Sequence, residues 1–139
     1  INGEAAKQVA QDIGSNAMAF QCDVTNEASV QSVLQEIHSK FQQPIRIGVN
    51  CAGILYGKRV VGQEGPMPLE DFNRVIQVNL TGTFNLIRLL AHHMSQTDPL
   101  AEEERGVIIN TASIAAYEGQ IGQAAYSASK AGVIGMTLP

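Results

Sequence analysis

No apolar run in this 139-residue sequence approaches the ~20 residues that a membrane-spanning helix requires, so no such helix is expected. Charge is also scarce, since charged residues make up 16% of the chain and the net charge is −4. That balance gives no electrostatic reason to expect a nucleic acid or an anionic membrane as a partner. The hydrophobic content of 45% is ordinary for a globular α/β protein, and the length corresponds to one domain or less.

Residues that bind metal ions are few and poorly spaced. The histidines have no partners at metal-ligand spacing and are interpreted as solvated helix residues: His38, His92 and His93. No metal site is therefore expected.

Glycine is plentiful, but not in the arrangement that binds the phosphates of a dinucleotide. No two of the 13 glycines are separated by a single residue, so the pattern Gly-x-Gly-x-x-Gly cannot occur. In dinucleotide-binding folds that loop follows the first strand and presents a helix N-terminus to the pyrophosphate. The sequence itself therefore holds no such phosphate loop.

Helical and strand patterns alternate along the chain, which predicts an α/β fold. Strands are predicted over 17–22, 45–49 and 107–109, the last as a buried parallel strand. A first helix is predicted over 4–13, and the residues of its inner side are Ala6, Val9, Ala10 and Ile13. A second, amphipathic helix is capped by Thr25 or Asn26, and its apolar stripe consists of Val30, Val33, Leu34, Ile37 and Phe41. A third helix is predicted over 69–94.

Two segments between these elements are predicted to be loops. Residues 54–68 are rich in glycine and proline and are interpreted either as a substrate-binding loop or as a disordered surface loop. Residues 95–105 are predicted to form an acidic, exposed loop.

The most informative segment is 106–139. Ser113 lies just past the predicted strand, and Tyr126 is followed four residues later by Lys130 in a predicted helix, which places the last two side chains on one face. A free tyrosine, with a pKa of about 10, is a poor acid or base near neutrality, but a nearby positive charge favours its phenolate form. Lys130 can supply that charge, so Tyr126 is a candidate general acid/base, and Ser113 can hold the oxygen of a secondary alcohol or ketone.

The same spacing also fits an ordinary helix with a solvated lysine and a half-buried tyrosine. Tyr126 is the only one of three tyrosines with a lysine four residues on, since Tyr56 is followed there by Val60 and Tyr117 by Ile121. On the residues alone, the two interpretations are about evenly balanced.

Four motifs together resemble one family. Ser113 with Tyr126-Ser127-Ala128-Ser129-Lys130 resembles the active-site motif of the short-chain dehydrogenase/reductase family. Residues 50–53, Asn-Cys-Ala-Gly, are similar to its Asn-Asn-Ala-Gly motif, Asn79 matches its helix asparagine, and Asp23-Val24-Thr25 matches the motif that reaches adenine. The resemblance spans the whole chain. Arg46 departs from the family, which usually has aspartate there, and only a surface effect is expected.

The resemblance implies roles for these residues. Tyr126 is the acid/base, Lys130 assists it and binds the cofactor ribose, Ser113 orients the substrate oxygen, and Asn79 holds a water that relays protons to Lys130. Without the resemblance, Asn79 would be interpreted as a core asparagine bonded to backbone, and Asp23 as a polar turn residue. Val24 is expected to pack on the adenine, and Gln123 is expected beside Ser113 at the substrate. The residues expected to line the cofactor are Asp23, Val24, Asn50, Cys51, Ala52, Gly53, Tyr126 and Lys130.

The implied fold is a doubly wound, Rossmann-like parallel sheet that is incomplete in this chain. The predicted strands correspond to the third, fourth and fifth of the order 3-2-1-4-5-6. Residues 1–139 are therefore expected to be the central part of a single dinucleotide-binding catalytic domain, without the first two strands, their glycine loop and the C-terminal strands. The third strand would lack a partner, so the isolated chain is expected to fold poorly and be inactive. Cys22 and Cys51 would lie three strands apart, roughly 14 Å, too far for a disulfide.

The implied activity is hydride transfer between a nicotinamide cofactor and a secondary alcohol or ketone, with 3-hydroxyacyl-CoA as the expected substrate. NAD is expected, although NADP stays open because the residue that selects between them would precede residue 1. The family also implies a homo-oligomer, dimer or tetramer, in the cytoplasm or the mitochondrial matrix. The alternatives are a 3-oxoacyl-acyl-carrier-protein reductase and a catalytically silent binding scaffold.

Overall fold

The computed structural model describes residues 2–139, which form five α-helices, a short parallel sheet and a small hairpin. The helices are α1 (Gly3–Ile13), α2 (Glu27–Phe41), α3 (Leu69–Ile76), α4 (Gly82–Ser95) and α5 (Ala124–Gly135). The strands are β1 (Ile47–Asn50), β2 (Val61–Gly62), β3 (Gly65–Pro66) and β4 (Val107–Asn110). Single turns of 3₁₀ helix occupy Ala101–Glu103 and Ile114–Ala116.

The two long strands pair in parallel, as the α/β pattern predicts. The register runs from Ile47 opposite Val107 to Asn50 opposite Asn110. Helix α4 covers one face of this sheet, where Gly48 leaves space for Leu90. The opposite face of the sheet is open, so the prediction that strand 107–109 is buried is wrong for the side chains on that face. Four apolar side chains there are about half exposed or more: Ile47, Val49, Val107 and Ile109. No helix among the described residues packs on that face.

Residues 17–22 form no strand, contrary to the prediction. The segment follows the cap of α1 at Gly14 and has no sheet partner among residues 2–139, so no ladder of hydrogen bonds can form. Helix α1 lies beside it and buries none of its residues. The predicted inner side of α1 is confirmed only in part, because Ala6 and Ala10 are half-buried while Val9 and Ile13 are more than half exposed.

The core lies between α2, α3, α4 and α5. Asn26 caps α2 by accepting a hydrogen bond from the backbone N–H of Ser29, as predicted. Of the apolar stripe on α2, only Val30 is fully buried. It joins a core whose other buried apolar members are Val75, Leu90, Met94, Ala115, Ala125 and Val133.

Arg46, the departure from the family pattern, holds the acidic loop. Its guanidinium donates to Oγ1 of Thr97 and to the backbone carbonyls of Asp98 and Arg105 at 2.9–3.1 Å. The rest of that loop is largely exposed, as predicted. His93 differs from the solvated residue that was expected, since it is half-buried and its Nε2 accepts from the backbone N–H of Ile45 at 3.4 Å.

Residues 69–95 form one long helix, as predicted, but the middle of it is not α-helical. Gln77–Thr81 is a π-helical segment between α3 and α4, and its residue Asn79 is completely buried. A π segment widens the helix and changes which side chains face a neighbour, and such segments are frequent at functional sites. The helical period alone could not predict it.

Helix α5 packs closely on this π segment. A Cβ atom at Gly132 would lie 2.8 Å from Cδ1 of Leu80. The small residue therefore sets the distance between the helix that carries Tyr126 and the helix that carries Asn79.

Gly132→Ala should lower the free energy of unfolding of the native protein by about 1–3 kcal/mol, because the added methyl group overpacks the contact with Leu80. Gly135→Ala is the matched control in the same helix, since a Cβ there meets nothing within 4 Å. Chemical denaturation measures both, and equal stability of the two variants would contradict the proposed contact.

Candidate active site

The buried amide of Asn79 is the centre of the site. Its Oδ1 accepts a hydrogen bond from the backbone N–H of Ile54 at 2.7 Å, and its Nδ2 donates to the Ile54 carbonyl at 2.9 Å. Nδ2 also donates to Oγ of Ser129 at 3.1 Å. One side chain therefore joins the loop after β1, the π segment and helix α5.

Ser129 continues this network inside α5. Its side chain is completely buried, and its hydroxyl donates to the carbonyl of Tyr126 at 2.7 Å while accepting from Asn79. The turn of α5 that presents Tyr126 and Lys130 is thus fixed from its buried side.

Lys130 and Tyr126 come together, as their spacing predicts. Nζ of Lys130 lies 5.7 Å from the centroid of the Tyr126 ring. It donates to the carbonyl of Thr111, just past β4, at 2.7 Å, and the residue is only 5% exposed. The ammonium therefore stands near the carboxyl ends of both strands, where ligands bind in open α/β sheets.

Gly53 leaves room in front of these groups. A Cβ atom at this position would lie 3.4 Å from Oδ1 of Asn79 and 3.8 Å from Nζ of Lys130. Gly53 therefore lies in close contact range of both the Asn79 amide and the Lys130 ammonium.

Ser113 begins the 3₁₀ turn Ile114–Ala116 at the end of the β4 segment. Its Oγ accepts from the backbone N–H of Ala115 at 3.2 Å. Since a serine hydroxyl also has one hydrogen to donate, this arrangement leaves that hydrogen for another acceptor.

The other predicted cofactor and substrate residues follow β1 or precede α5. Asn50 is 5% exposed, and its Nδ2 donates to Oδ1 of Asn110 at 2.6 Å, so its side chain ties β1 to β4. Residues 51–53 are exposed, and Cys51 and Cys22 are free thiols, as expected. Oε1 of Gln123 accepts from the backbone N–H of Gln120 and shapes the turn before α5.

Asp23 and Val24 lie in the turn before α2. Oδ1 of Asp23 accepts from the hydroxyl of Thr25 at 2.8 Å and from its backbone N–H at 2.9 Å, and these hydrogen bonds lower the pKa of the Asp23 carboxyl. The Val24 side chain faces helix α4, because a Cβ at Gly82 would lie 2.6 Å from its Cγ2. The Cγ2 methyl group therefore packs on α4, and packing of the Val24 side chain on the adenine stays a prediction.

The loop after β1 carries the hairpin β2–β3, which the sequence did not predict. The backbone N–H of Lys58 donates to the Gly122 carbonyl at 2.9 Å, and Nζ of Lys58 forms an ion pair with Asp71 at 2.9 Å. A cavity of about 570 Å³ lies between this loop and the turn before α5, lined by residues that include Val60, Val61, Ile121, Gly122, Gln123 and Ser127.

Sequence reasoning missed three partners of the site. The Thr111 and Ile54 contacts use backbone groups, which leave no signal in residue identity. Ser129 could have been found, because a serine within one turn of Tyr126 and on the inner side of a helix needs a buried partner.

Among residues 2–139, no group of three or more histidine, cysteine or acidic side chains is arranged to hold a metal ion. No helix in this part of the chain combines the length and apolarity needed to cross a bilayer.

Comparison with known proteins places the fold and the motifs in one family. The model of the short chain dehydrogenase family matches residues 1–138. The chain is 51% identical over 132 residues to 3-hydroxyacyl-CoA dehydrogenase type-2 of Homo sapiens, covering 94% of this chain and 50% of that protein. It is 48% identical to the Drosophila melanogaster protein of the same name, covering 95% and 52%.

A solved structure has the same fold. Crystalline 3-hydroxyacyl-CoA dehydrogenase type-2 from Mycobacterium avium superposes with a TM-score of 0.88 at 40% identity, covering 98% of this chain and 53% of that one. The chain therefore belongs to the short-chain dehydrogenase family and has its Rossmann-like α/β fold. It spans about half the length of the curated relatives it matches.

Asn79→Ala should lower the free energy of unfolding by about 2–4 kcal/mol, because it leaves both backbone groups of Ile54 and the hydroxyl of Ser129 without their partner. Asn73→Ala is the control, since Asn73 is an exposed residue of the same long helix. Denaturant unfolding of the native protein measures both, and a loss no larger than that of the control would contradict this role.

Thr25→Val should raise the pKa of Asp23 towards its ordinary value, because the hydroxyl contributes the larger of the two lowering hydrogen bonds. A lowered folded-state pKa makes ionised Asp23 stabilising above its unfolded pKa, and that contribution disappears as the pH falls through the folded pKa. The variant should therefore show a weaker dependence of stability on pH in the acid range. NMR titration of the carboxyl carbon measures the pKa, with Thr25→Ser as the control that keeps the hydroxyl.

Proposed function

We propose that this chain forms the catalytic centre of a nicotinamide-dependent dehydrogenase that interconverts a secondary alcohol and a ketone, with Tyr126 as general acid/base. The observation that carries the proposal is the ammonium of Lys130. It is almost fully buried, and the ion pairs among the described residues, Lys7–Glu4, Lys58–Asp71 and Arg88–Glu27, do not include it. A buried charge without a counter-charge is costly, so a site that retains one has a use for it.

The chemistry of the residues present fits a nicotinamide dinucleotide. An ammonium has three donors, and Lys130 uses one of them for the Thr111 carbonyl. The remaining donors suit the hydroxyl groups of a ribose, and the exposed backbone of residues 51–53 lies beside them. When bound, the nicotinamide supplies hydride exchange, which side chains cannot perform.

The proton in this proposal moves at the phenol of Tyr126. In the direction of oxidation, Tyr126 takes the proton from the substrate hydroxyl, and in reduction it returns that proton to the carbonyl oxygen. The positive charge of Lys130 stabilises the phenolate form. The hydroxyl of Ser113, already accepting from Ala115, donates to the substrate oxygen and orients it.

Asn79 supports these groups in two ways in the proposal. Its side chain fixes the loop of Ile54 and the helix of Ser129. The second role is a relay of protons from Lys130 to solvent through a water held at the backbone carbonyl of Asn79, which also accepts from the hydroxyl of Thr83 at 2.7 Å.

We propose 3-hydroxyacyl-CoA as the substrate and NAD as the cofactor. The relatives called 3-hydroxyacyl-CoA dehydrogenase type-2 are about half identical to the chain. Exposed apolar side chains line the cavity beside α5 and suit an acyl chain: Val60, Val61 and Ile121. A homo-oligomer is also proposed, since Phe84 leaves half of its ring exposed on the long helix.

Tyr126→Phe should reduce kcat by at least about a hundredfold, since general acid/base catalysis contributes roughly 10²–10⁴-fold, while the affinity for NAD changes little. Tyr117→Phe is the control, because Tyr117 is 75% exposed and lies outside the proposed machinery. Steady-state rates with a 3-hydroxyacyl-CoA and NAD, together with NADH binding by fluorescence, test both variants of the native protein. A kcat for Tyr126→Phe near that of wild type would exclude this role, and a wild-type protein that binds NADH without turnover would favour the scaffold.

A further inference from the structure

The turn that contains Asp23 and Val24 is attached to helix α4 by a side chain outside every motif named above. Nδ2 of Asn85 donates to the backbone carbonyl of Val24 at 2.9 Å. One turn of helix earlier, Gly82 receives the Val24 side chain at a distance that no residue with a Cβ would permit. The turn therefore has both a polar and a steric contact with the same helix.

The orientation of the Asn85 amide is fixed by a second set of contacts. Its Oδ1 accepts from Nε and Nη2 of Arg88 at 3.1 and 2.7 Å, and Nη2 of Arg88 forms an ion pair with Glu27 at 2.9 Å. Because a guanidinium can only donate, Oδ1 must face Arg88 and the amide nitrogen must face Val24. Glu27 is the first residue of α2, so the contacts form a closed ring around the turn.

The helix that holds the turn also holds the proposed chemical centre. Asn85 is 7% exposed, and it lies six residues after Asn79 on the continuous helix that runs from the π segment into α4. The turn is therefore attached to the same long helix that binds Ile54 and Ser129 and, through α5, positions Lys130.

We propose that Asn85 is a positioning residue for the adenosine end of the dinucleotide, which holds Asp23 and Val24 at a fixed distance from Lys130 and Tyr126. This inference rests on the proposed function, because it requires Asp23 to contact the adenine. Asn85 touches neither cofactor nor substrate in this account, and it acts only through the Val24 carbonyl.

The test uses Asn85→Leu in the full native protein, since the leucine side chain has the same branching but neither donates to Val24 nor accepts from Arg88. The Kd for NADH, measured by fluorescence titration, should rise about five- to twentyfold, and KM for NAD should rise in parallel. The kcat at saturating NAD should stay within about twofold, because the contacts of Tyr126, Lys130 and Asn79 are not altered. Asn73→Leu is the matched control and should leave all three quantities unchanged.

A cofactor analogue separates positioning from general damage. Nicotinamide hypoxanthine dinucleotide lacks the exocyclic amino group that an aspartate carboxylate can accept from. If Asn85 positions Asp23 for adenine, the substitution should weaken binding of this analogue by less than it weakens binding of NAD. An equal penalty for both dinucleotides would overturn the inference.

Arg88→Gln provides a second variant if Asn85→Leu does not fold, because it changes a half-exposed side chain and removes the guanidinium that orients Asn85 and pairs with Glu27. It should raise the Kd for NADH about two- to fivefold with kcat retained. If wild-type protein binds NADH and the folded variants bind it equally well, or lose kcat in proportion, this inference alone is wrong. If wild-type protein binds no dinucleotide, the proposed function falls with it.

Discussion

The structure depends on the buried amide of Asn79. Its oxygen accepts from the backbone of one loop, and both hydrogens of its nitrogen are donated, one to that loop and one to Ser129. Each of these groups has left water, so none can lose its partner without a free-energy penalty. All of these hydrogen bonds form together when the loop after β1 lies against the π segment and α5 presents Tyr126 and Lys130 beside that loop.

The π segment explains how one helix can satisfy so many neighbours. An extra residue in a helix rotates everything after it by about 100° relative to a regular α-helix. Asn79 can therefore face the loop and α5, while Gly82 and Asn85 of the same helix face the turn before α2. A continuous α-helix would place these groups in different relative directions. The helix thus connects the two ends of the proposed cofactor site with a single rigid element.

Other parts of the molecule are less constrained. Parallel sheets normally carry helices on both faces, but the two-stranded sheet here is covered on one face among the described residues. Apolar side chains on the second face, and those of α1 and residues 17–20, stay partly exposed. The proposed site lies on the covered side, where the polar network and the core support each other.

Residue identity and spacing determined much of this protein. Helical period located α2 and the long helix, a capping residue marked the start of α2, the apolar runs located β1 and β4, and the four-residue interval placed Tyr126 and Lys130 on one face. These features are local, so the sequence carries them directly.

Only the tertiary structure decided that the long helix contains a π segment, that Asn79 is bonded to Ile54 and Ser129, that Lys130 is held by a backbone carbonyl, and that Asn85 reaches Val24. Most of these contacts join residues far apart in the chain through backbone groups, which every residue possesses and which therefore leave no mark on sequence pattern. Tertiary structure also decided which residues are buried. Residues 17–22 and 107–109 both have strand-like composition, but the neighbours present in the fold decided whether they pair and which faces are covered.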